Sequence, residues 1–110
     1  MTFAKFSASA ERDLASIHGY IAADDPTSAD RVRGAILDTS DLLASNPAIG
    51  RRIINASERH AQIRWFVVPK YRNYLIFYRP FQNTILAIRV LHAAQDYTRF
   101  FPVPQKRKLN

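Results

Sequence analysis

Three hydrophobic runs in the second half of the chain predict β-strands. They cover Gln62–Val68, Asn73–Arg79 and Thr84–His92, and each is rich in aromatic and β-branched residues, which suit a pleated sheet. Pro80 cannot donate a ladder hydrogen bond, and Gln82–Asn83 supply polar turn residues, so we expect the chain to reverse between the second and third runs. The connection Lys70–Arg72 is short, which makes the first run a neighbour of the second in an antiparallel meander.

The first half of the chain begins with alternation and then changes to a helical period. Thr2–Phe6 alternates and predicts a short strand. Apolar residues then recur every three or four positions across Ala10–Ile21, the stripe of an amphipathic helix. Asp25–Pro26 supplies a cap and a first-position proline for a second helix, which Asn46–Pro47 stops. This order predicts an α+β fold, a two-layer sandwich in which a helical hairpin packs on a small, largely antiparallel sheet.

Helices on one side of a sheet leave its other face to be covered by something else or exposed. In the last predicted strand, alternation places Leu86, Ile88 and Val90 together, and we expect this set to face the helices. Arg89 is then expected on the less covered face. A charge within an apolar strand needs a partner or an open surface, and Asp96 is a candidate partner.

The charge balance limits the class of partner. The chain has 16 Lys and Arg against 9 Asp and Glu, a net charge of +7. This suits an anionic partner such as nucleic acid or an acidic protein segment, or simply a soluble basic surface. No cysteine is present and the three histidines lack metal-ligand spacing, so we expect no metal and no other cofactor. Because no run is long enough to span a bilayer and no secretory signal is evident, we expect a cytoplasmic protein without a membrane partner.

Several segments stand in a characteristic order along the chain: SASAERDL at 7–14, IHGYI at 17–21, LLASNPAIG at 42–50, NYLIFYRP at 73–80 and IRVLH at 88–92. In this order they resemble the RelE/ParE superfamily of bacterial type II toxins, and its ParE-like branch in particular. The resemblance covers nearly the whole chain and implies one toxin domain over residues 1–103, with a basic, flexible tail at 104–110. Its β-α-α-β-β-β fold, with a concave sheet face, agrees with the element order predicted from periodicity.

The resemblance implies a toxin that a cognate antitoxin neutralises. Such an antitoxin has a DNA-binding N-terminal region and an acidic, amphipathic C-terminal segment that wraps the toxin, so a toxin–antitoxin hetero-oligomer is expected. ParE-like members inhibit DNA gyrase by trapping it on cleaved DNA, whereas RelE-like members cleave mRNA on the ribosome. We expect a growth-arresting gyrase inhibitor with no catalysis of its own. The alternatives are a metal-independent endoribonuclease and a non-toxic antitoxin-binding module, the latter because Gln95 stands where many ParE-like chains carry a basic residue.

Four side chains from the predicted strands are expected to contact the target: Arg64, Arg79, Arg89 and His92. The three arginines are expected to reach one sheet face. In the ribonuclease alternative, these side chains and Tyr97 would supply the proton transfer and charge stabilisation that RNA cleavage needs. Arg64 and Arg89 have a structural interpretation of equal weight, as ion pairs with carboxylates such as Glu58 or Asp96. His92 at a strand end is more often a hydrogen-bonded structural histidine.

A surface for the antitoxin is expected along the first helix and the exposed part of the sheet. A one-sided helical layer leaves apolar grooves, and the basic surface gives them cationic rims that suit an acidic segment folding on binding. The expected apolar contacts are Phe3, Ile17, Tyr20 and Ile21, and the expected rim charges are Arg51, Arg52 and Arg72.

Overall fold

The computed structural model describes residues 2–102, which fold into two layers. The helices are α1 (Ala8–Ala22) and α2 (Pro26–Ser45), and the strands are β1 (Lys5–Phe6), β2 (Arg51–Arg52), β3 (Arg64–Val67), β4 (Tyr74–Phe81) and β5 (Thr84–His92). The strands form one sheet in the order β1-β5-β4-β3-β2, in which β1 runs parallel to β5 and the other pairs are antiparallel. This architecture confirms the predicted α+β sandwich.

The predicted tail at 104–110 lies outside the described residues, so the division of the chain into a domain and a tail stays a prediction. No helix within residues 2–102 combines the length and the apolar character needed to cross a membrane.

Both helices begin at side-chain caps. The Ser7 hydroxyl oxygen accepts a hydrogen bond from the Ala10 N–H at 3.0 Å. The Asp25 carboxylate accepts from the backbone N–H of Ser28 at 3.2 Å and from its hydroxyl at 2.7 Å, and these bonds lower the pKa of Asp25. Pro26 occupies the first position of α2, where no backbone donor is needed. Each helix therefore starts where a side chain satisfies one of its free N–H groups.

The helical layer packs on one face of the sheet and buries the main core. Its central members are Ala10, Leu14, Val32, Ile36, Leu43, Ile76, Tyr78, Ile85, Ala87 and Val90. The buried Tyr78 hydroxyl donates to the Pro47 carbonyl at 2.8 Å and accepts from the Gly50 N–H at 2.9 Å. Gly50 is required there, because a Cβ at this position would collide with the Tyr78 hydroxyl. The Tyr78 hydroxyl thus has its hydrogen bonds inside an apolar core and ties the end of α2 to the sheet.

A β-bulge interrupts the pairing of β4 with β5. Phe77 pairs with Arg89, but the next residue of β4, Tyr78, pairs with Ala87, so Ile88 is the extra residue in β5. A bulge of this kind breaks the alternation of side chains along the strand. Residues on either side of it therefore share a face at a spacing of three instead of two.

The bulge corrects one prediction about β5. Leu86 and Ile88 do not face the helices with Val90; Ala87 does, because the extra residue shifts the alternation. Arg89 lies on the sheet face opposite the helices, as predicted. We refer to that face as the second face.

Two irregular segments, residues 53–63 and 97–101, fold across the second face. They meet the sheet in a smaller second core made of Ile53, Ile63, Phe77, Leu91 and Phe101. The Phe77 and Phe101 rings stack there with centroids 4.9 Å apart. The second face is therefore partly covered, and clefts open between the irregular segments and the strands.

Candidate functional site

A cleft of about 640 Å³ on the second face gathers most of its charge; we call it the basic cleft. It is lined by Arg59, His60, Ile63, Arg79, Ile88, Arg89, Arg99, Phe100 and Phe101. Two of its four arginines come from β4 and β5, and the other two come from the 3₁₀ turns Glu58–His60 and Tyr97–Arg99. Four separate segments thus bring like charges to one place.

Arg89 is the one cleft arginine with a carboxylate partner in the described part of the chain. Its Nε and Nη2 atoms donate to the two oxygens of Asp13 on α1 at 2.7 and 2.8 Å. Asp13 also accepts from the Val90 N–H at 2.9 Å, because β1 is too short to pair with this part of the β5 edge. The hydrogen bond that Arg89 donates to Asp13 raises the pKa of Arg89. The predicted partner Asp96 instead accepts from the backbone and hydroxyl of Thr98.

The other three arginines of the basic cleft have no such partner. Ion pairs within residues 2–102 are limited to Arg89 with Asp13 and His18 with Asp30. Arg79 donates to the adjacent Pro80 carbonyl at 3.2 Å. The cleft therefore carries unbalanced positive charge, contributed by Arg59, Arg79 and Arg99.

Aromatic rings form one wall of the basic cleft. The Arg89 guanidinium lies 4.1 Å from the centroid of the Phe100 ring, a cation–π contact. The His60 ring meets the Phe101 ring edge-on at 5.5 Å, and its Nδ1 atom lies 3.2 Å from the Ser57 hydroxyl. Cations and apolar rings are therefore adjacent in the same cleft.

Arg64 does not join the other predicted arginines. It pairs with Tyr78 across the sheet, and cross-strand partners share a face, so Arg64 lies on the helical side. Its guanidinium donates to the carbonyls of Gly50 at 2.7 Å and Ala48 at 3.3 Å. The expected common face of three arginines is therefore wrong for Arg64, which holds the loop after α2 and does not pair with Glu58.

His92 and Tyr97 also lie apart from the basic cleft. The His92 Nδ1 atom accepts from the Ala94 N–H at 3.0 Å, and the His92 N–H donates to the Gln95 side-chain oxygen at 2.8 Å, so both residues shape the turn after β5. Tyr97 packs on Phe77 with ring centroids 5.7 Å apart. The five residues of the ribonuclease alternative thus do not form one constellation.

Three polar residues of the cleft were missed from the sequence: Arg59, His60 and Arg99. They lie in short irregular segments whose position over the sheet depends on distant contacts, and no periodic pattern marks them. Within the described residues no group of His, Asp or Glu side chains has the arrangement of a metal site.

The residues predicted for antitoxin binding occupy two separate surfaces. Phe3 lies beside β1 and Tyr20 is 83% exposed on α1, whereas Arg51 and Arg52 form β2 at the opposite edge of the sheet. Ile17 and Ile21 are half-buried against the main core. Because β1 and β2 are the two edge strands, these arginines cannot rim a groove along α1.

Arg51 and Arg72 do come together in a groove of about 400 Å³ at the β2 edge, which we call the edge groove. It is also lined by Ile49, Trp65, Phe66, Val67 and Pro69. The Arg51 guanidinium lies 6.0 Å from the Trp65 ring centroid. A neighbouring apolar groove shares Arg51 and Trp65 with the edge groove and continues to Ile54, Leu75 and Tyr97. This edge of the sheet thus combines apolar side chains with cations.

Residues 4–97 match the sequence model of a family described as the ParE toxin of the type II toxin-antitoxin system, parDE. The chain belongs to the ParE toxin family. The match confirms the resemblance seen in the sequence, and membership makes the chain a toxin of a type II toxin–antitoxin system. The matched span includes both helices, all five strands and the Asp13–Arg89 pair, but it ends before the aromatic wall of the basic cleft at 99–101.

Among solved structures, this ParE-family chain is similar to one described as "Chromosomal ParDE TA system from P. aeruginosa". The TM-score is 0.64 and the sequence identity is 21%, with 84% of this chain and 96% of that chain covered. At this identity the likeness establishes the fold. Among curated proteins, none matches the sequence significantly.

Proposed function

We propose that this ParE-family toxin arrests bacterial growth by binding DNA gyrase, and that a cognate antitoxin neutralises it in the cytoplasm. The family match over residues 4–97 supports this function, since it spans every helix and strand of the fold. The toxin acts by contact: it holds its target in an inactive complex and makes or breaks no covalent bond.

The arrangement of the candidate catalytic side chains supports contact over catalysis. Metal-independent RNA cleavage needs a proton acceptor, a proton donor and cations around one phosphate. Of the five predicted candidates, Arg79 and Arg89 meet in the basic cleft, while His92 and Tyr97 are engaged elsewhere. We assign Arg79 and Arg89 to target contact.

The second candidate function is ribosome-dependent mRNA cleavage, and His60 is the observation that favours it. His60 shares the basic cleft with four arginines, and imidazole exchanges protons near neutral pH. Its Nδ1 atom is next to the Ser57 hydroxyl, which leaves Nε2 for a bound nucleotide. This arrangement would give the cleft one general acid or base beside cations that stabilise a phosphorane.

The antitoxin contributes an acidic, amphipathic C-terminal segment, and its N-terminal region binds DNA. The edge groove suits that segment, because Trp65 and Ile49 offer apolar contacts between the cations Arg51 and Arg72. Tyr20 on α1 is a second exposed contact for a segment long enough to wrap the toxin. The result is a toxin–antitoxin hetero-oligomer.

Expression of the toxin alone and a gyrase assay test this function together. We expect growth arrest with filamentation in cells, and purified toxin should make gyrase accumulate cleaved DNA in a supercoiling reaction. Co-expression of the antitoxin should restore growth. Loss of protein synthesis with cuts in ribosome-bound mRNA and intact DNA would identify the ribonuclease instead, and normal growth with abundant folded toxin would identify a non-toxic antitoxin-binding module.

A His60→Gln variant separates the first two outcomes further. A gyrase-binding toxin should keep its growth arrest in this variant, since glutamine keeps most of the polar contacts of the ring. A ribonuclease that uses His60 should lose mRNA cleavage by about 100-fold or more, the typical contribution of one general acid or base.

A further inference from the structure

Charge is divided unequally between the two layers of the toxin. Residues 2–50, which include both helices and β1, hold four Lys and Arg against seven Asp and Glu, whereas residues 51–102 hold nine against two. The helical layer is therefore net acidic, and the strands β2 to β5 with their irregular segments are net basic. An anionic molecule is attracted to the second face and repelled by the helices.

The basic cleft concentrates this excess in guanidinium groups. Its charged side chains are four arginines, and Arg59, Arg79 and Arg99 have no carboxylate within ion-pair distance in the described chain. Like charges held this close destabilise one another unless an anion joins them. A guanidinium group offers a planar fork of donors that matches the oxygens of a phosphate.

Arg89 has a different part in the cleft. Asp13 neutralises its charge and fixes its guanidinium over the Phe100 ring, so the guanidinium and the ring form a flat wall beside the three arginines that have no ion pair. Phe101 and Ile88 extend this wall. Charges on one side and flat apolar surface on the other match a nucleic-acid strand, which presents phosphates on one side and bases on the other.

We infer that the basic cleft binds a single nucleic-acid strand through its phosphate backbone, with no other protein required. An acidic peptide would use the arginines but would leave the aromatic wall without a matching group. A single strand can lay its unpaired bases against the aromatic wall, whereas the bases of a duplex are already stacked inside the helix. The inference goes beyond the proposed function, because binding needs neither gyrase nor an antitoxin.

Fluorescence anisotropy with the purified full-length toxin tests the site. The probes are labelled twelve-nucleotide strands of thymidine and of uridine, titrated between 50 and 200 mM salt. If three arginines each neutralise one phosphate, the logarithm of the affinity should fall against the logarithm of the salt concentration with a slope of about −2. Equal affinity for the two strands is expected, since they share the phosphate; a preference for one of them also supports the site and identifies its ligand.

Variants assign the binding to the cleft. Arg79→Gln should reduce the salt slope by about 0.7, and the double variant Arg59→Gln/Arg99→Gln should weaken binding at least about tenfold. Arg33→Gln, an exposed arginine of α2, is the matched control and should change neither quantity. The basic residues at 106–108 are present in every variant, so differences between variants report the cleft alone. Thermal melts verify that each variant is folded.

Four outcomes would overturn the inference. One is no binding of either strand at 50 mM salt. Another is equal weakening by Arg33→Gln and by the cleft variants, which would make the binding a property of net charge. The third is displacement of the strand by poly-glutamate of the same charge as effectively as by an unlabelled strand. The fourth is tighter binding of a duplex than of a single strand. The gyrase assay is a separate experiment. A failure to bind nucleic acid would therefore not contradict gyrase as the target, and a negative gyrase assay would not contradict the nucleic-acid site.

Discussion

The two faces of the sheet are built in different ways. Against the helices, regular elements meet in the main core, where Ile36, Ile76 and Tyr78 are fully buried. On the second face, irregular segments cross the strands, and the smaller core around Phe77 lies beside open clefts. The face against the helices, which we call the first face, mainly stabilises the fold. The second face contributes less to stability and carries exposed cations.

This difference predicts that the main core tolerates truncation less well than the second core. Ile36→Ala and Ile53→Ala remove the same atoms from sites that are 0% and 5% exposed. Ile36 lies between packed elements that cannot close a cavity, so its loss should reduce the free energy of unfolding by about 4 kcal/mol. Ile53 lies in an irregular segment that can move inward, and its loss should be near 2 kcal/mol. Urea denaturation measures both, and equal losses would mean that the second face is packed as rigidly as the first.

The same difference between the two faces explains which parts of the structure could be predicted from the sequence. Both helices and the three long strands were predicted, because each has a local period and most have a local stop signal such as Asn46–Pro47 or Pro69. The stop predicted at Pro80 was wrong: β4 continues through Pro80 to Phe81, which pair with Ile85 and Thr84. Arg79 and Arg89 were identified as candidates because charge within an apolar strand is conspicuous. Arg79 pairs with Leu86 and Arg89 pairs with Phe77. The bulge sets this register, which places both arginines on the second face.

The rest of the basic cleft could not be predicted because it depends on contacts between distant residues. Asp13 is 76 positions from Arg89 and has no feature that distinguishes it from other acidic residues of α1. Arg59 and Arg99 lie over the sheet only because Ile63 and Phe101 insert into the second core beside them. The error about Arg64 has the same origin, since its carbonyl partners belong to the loop after α2.

Asp13 connects the acidic helical layer to a charged group of the basic cleft. Asp13→Asn keeps the shape but removes the charge that balances Arg89 and weakens the contact with the Val90 N–H. We expect the free energy of unfolding to fall by about 1.5–3 kcal/mol, the range for hydrogen bonds to charged groups. Asp24→Asn, an exposed carboxylate at the end of α1, is the control and should change little.

A double-mutant cycle of Asp13→Asn with Arg89→Gln isolates the pair. A coupling of about 1–3 kcal/mol is expected for two residues in direct contact. Additive effects would show that the pair contributes nothing beyond its separate members, and the connection between the layers would then rest on packing alone.

The buried tyrosine of the first face predicts a smaller effect that depends on pH. Burial raises the pKa of Tyr78, so the folded state disfavours its ionised form. A raised folded pKa gives stability that is complete below the ordinary tyrosine pKa of about 10 and is lost as the pH rises through the folded value. The free energy of unfolding should therefore decline in alkaline solution, and less steeply in Tyr78→Phe. Tyr20→Phe, which alters an exposed ring, is the matched control; the same slope in all three proteins would exclude Tyr78 as the cause.

Two exposed arginines of the basic cleft are expected to affect stability least and function most. Arg59 and Arg99 are exposed, line the same cleft as Arg79 and have no carboxylate within ion-pair distance in the described chain, so they contribute little to the stability of the folded state. Arg59→Gln/Arg99→Gln should leave the free energy of unfolding unchanged within about 0.5 kcal/mol or raise it slightly, while growth arrest weakens. Thermal melts beside a growth assay, with Arg33→Gln as control, compare the two properties. A clear loss of stability with full growth arrest per folded molecule would mean that these arginines hold the irregular segments in place and that the second face, like the first, serves the fold.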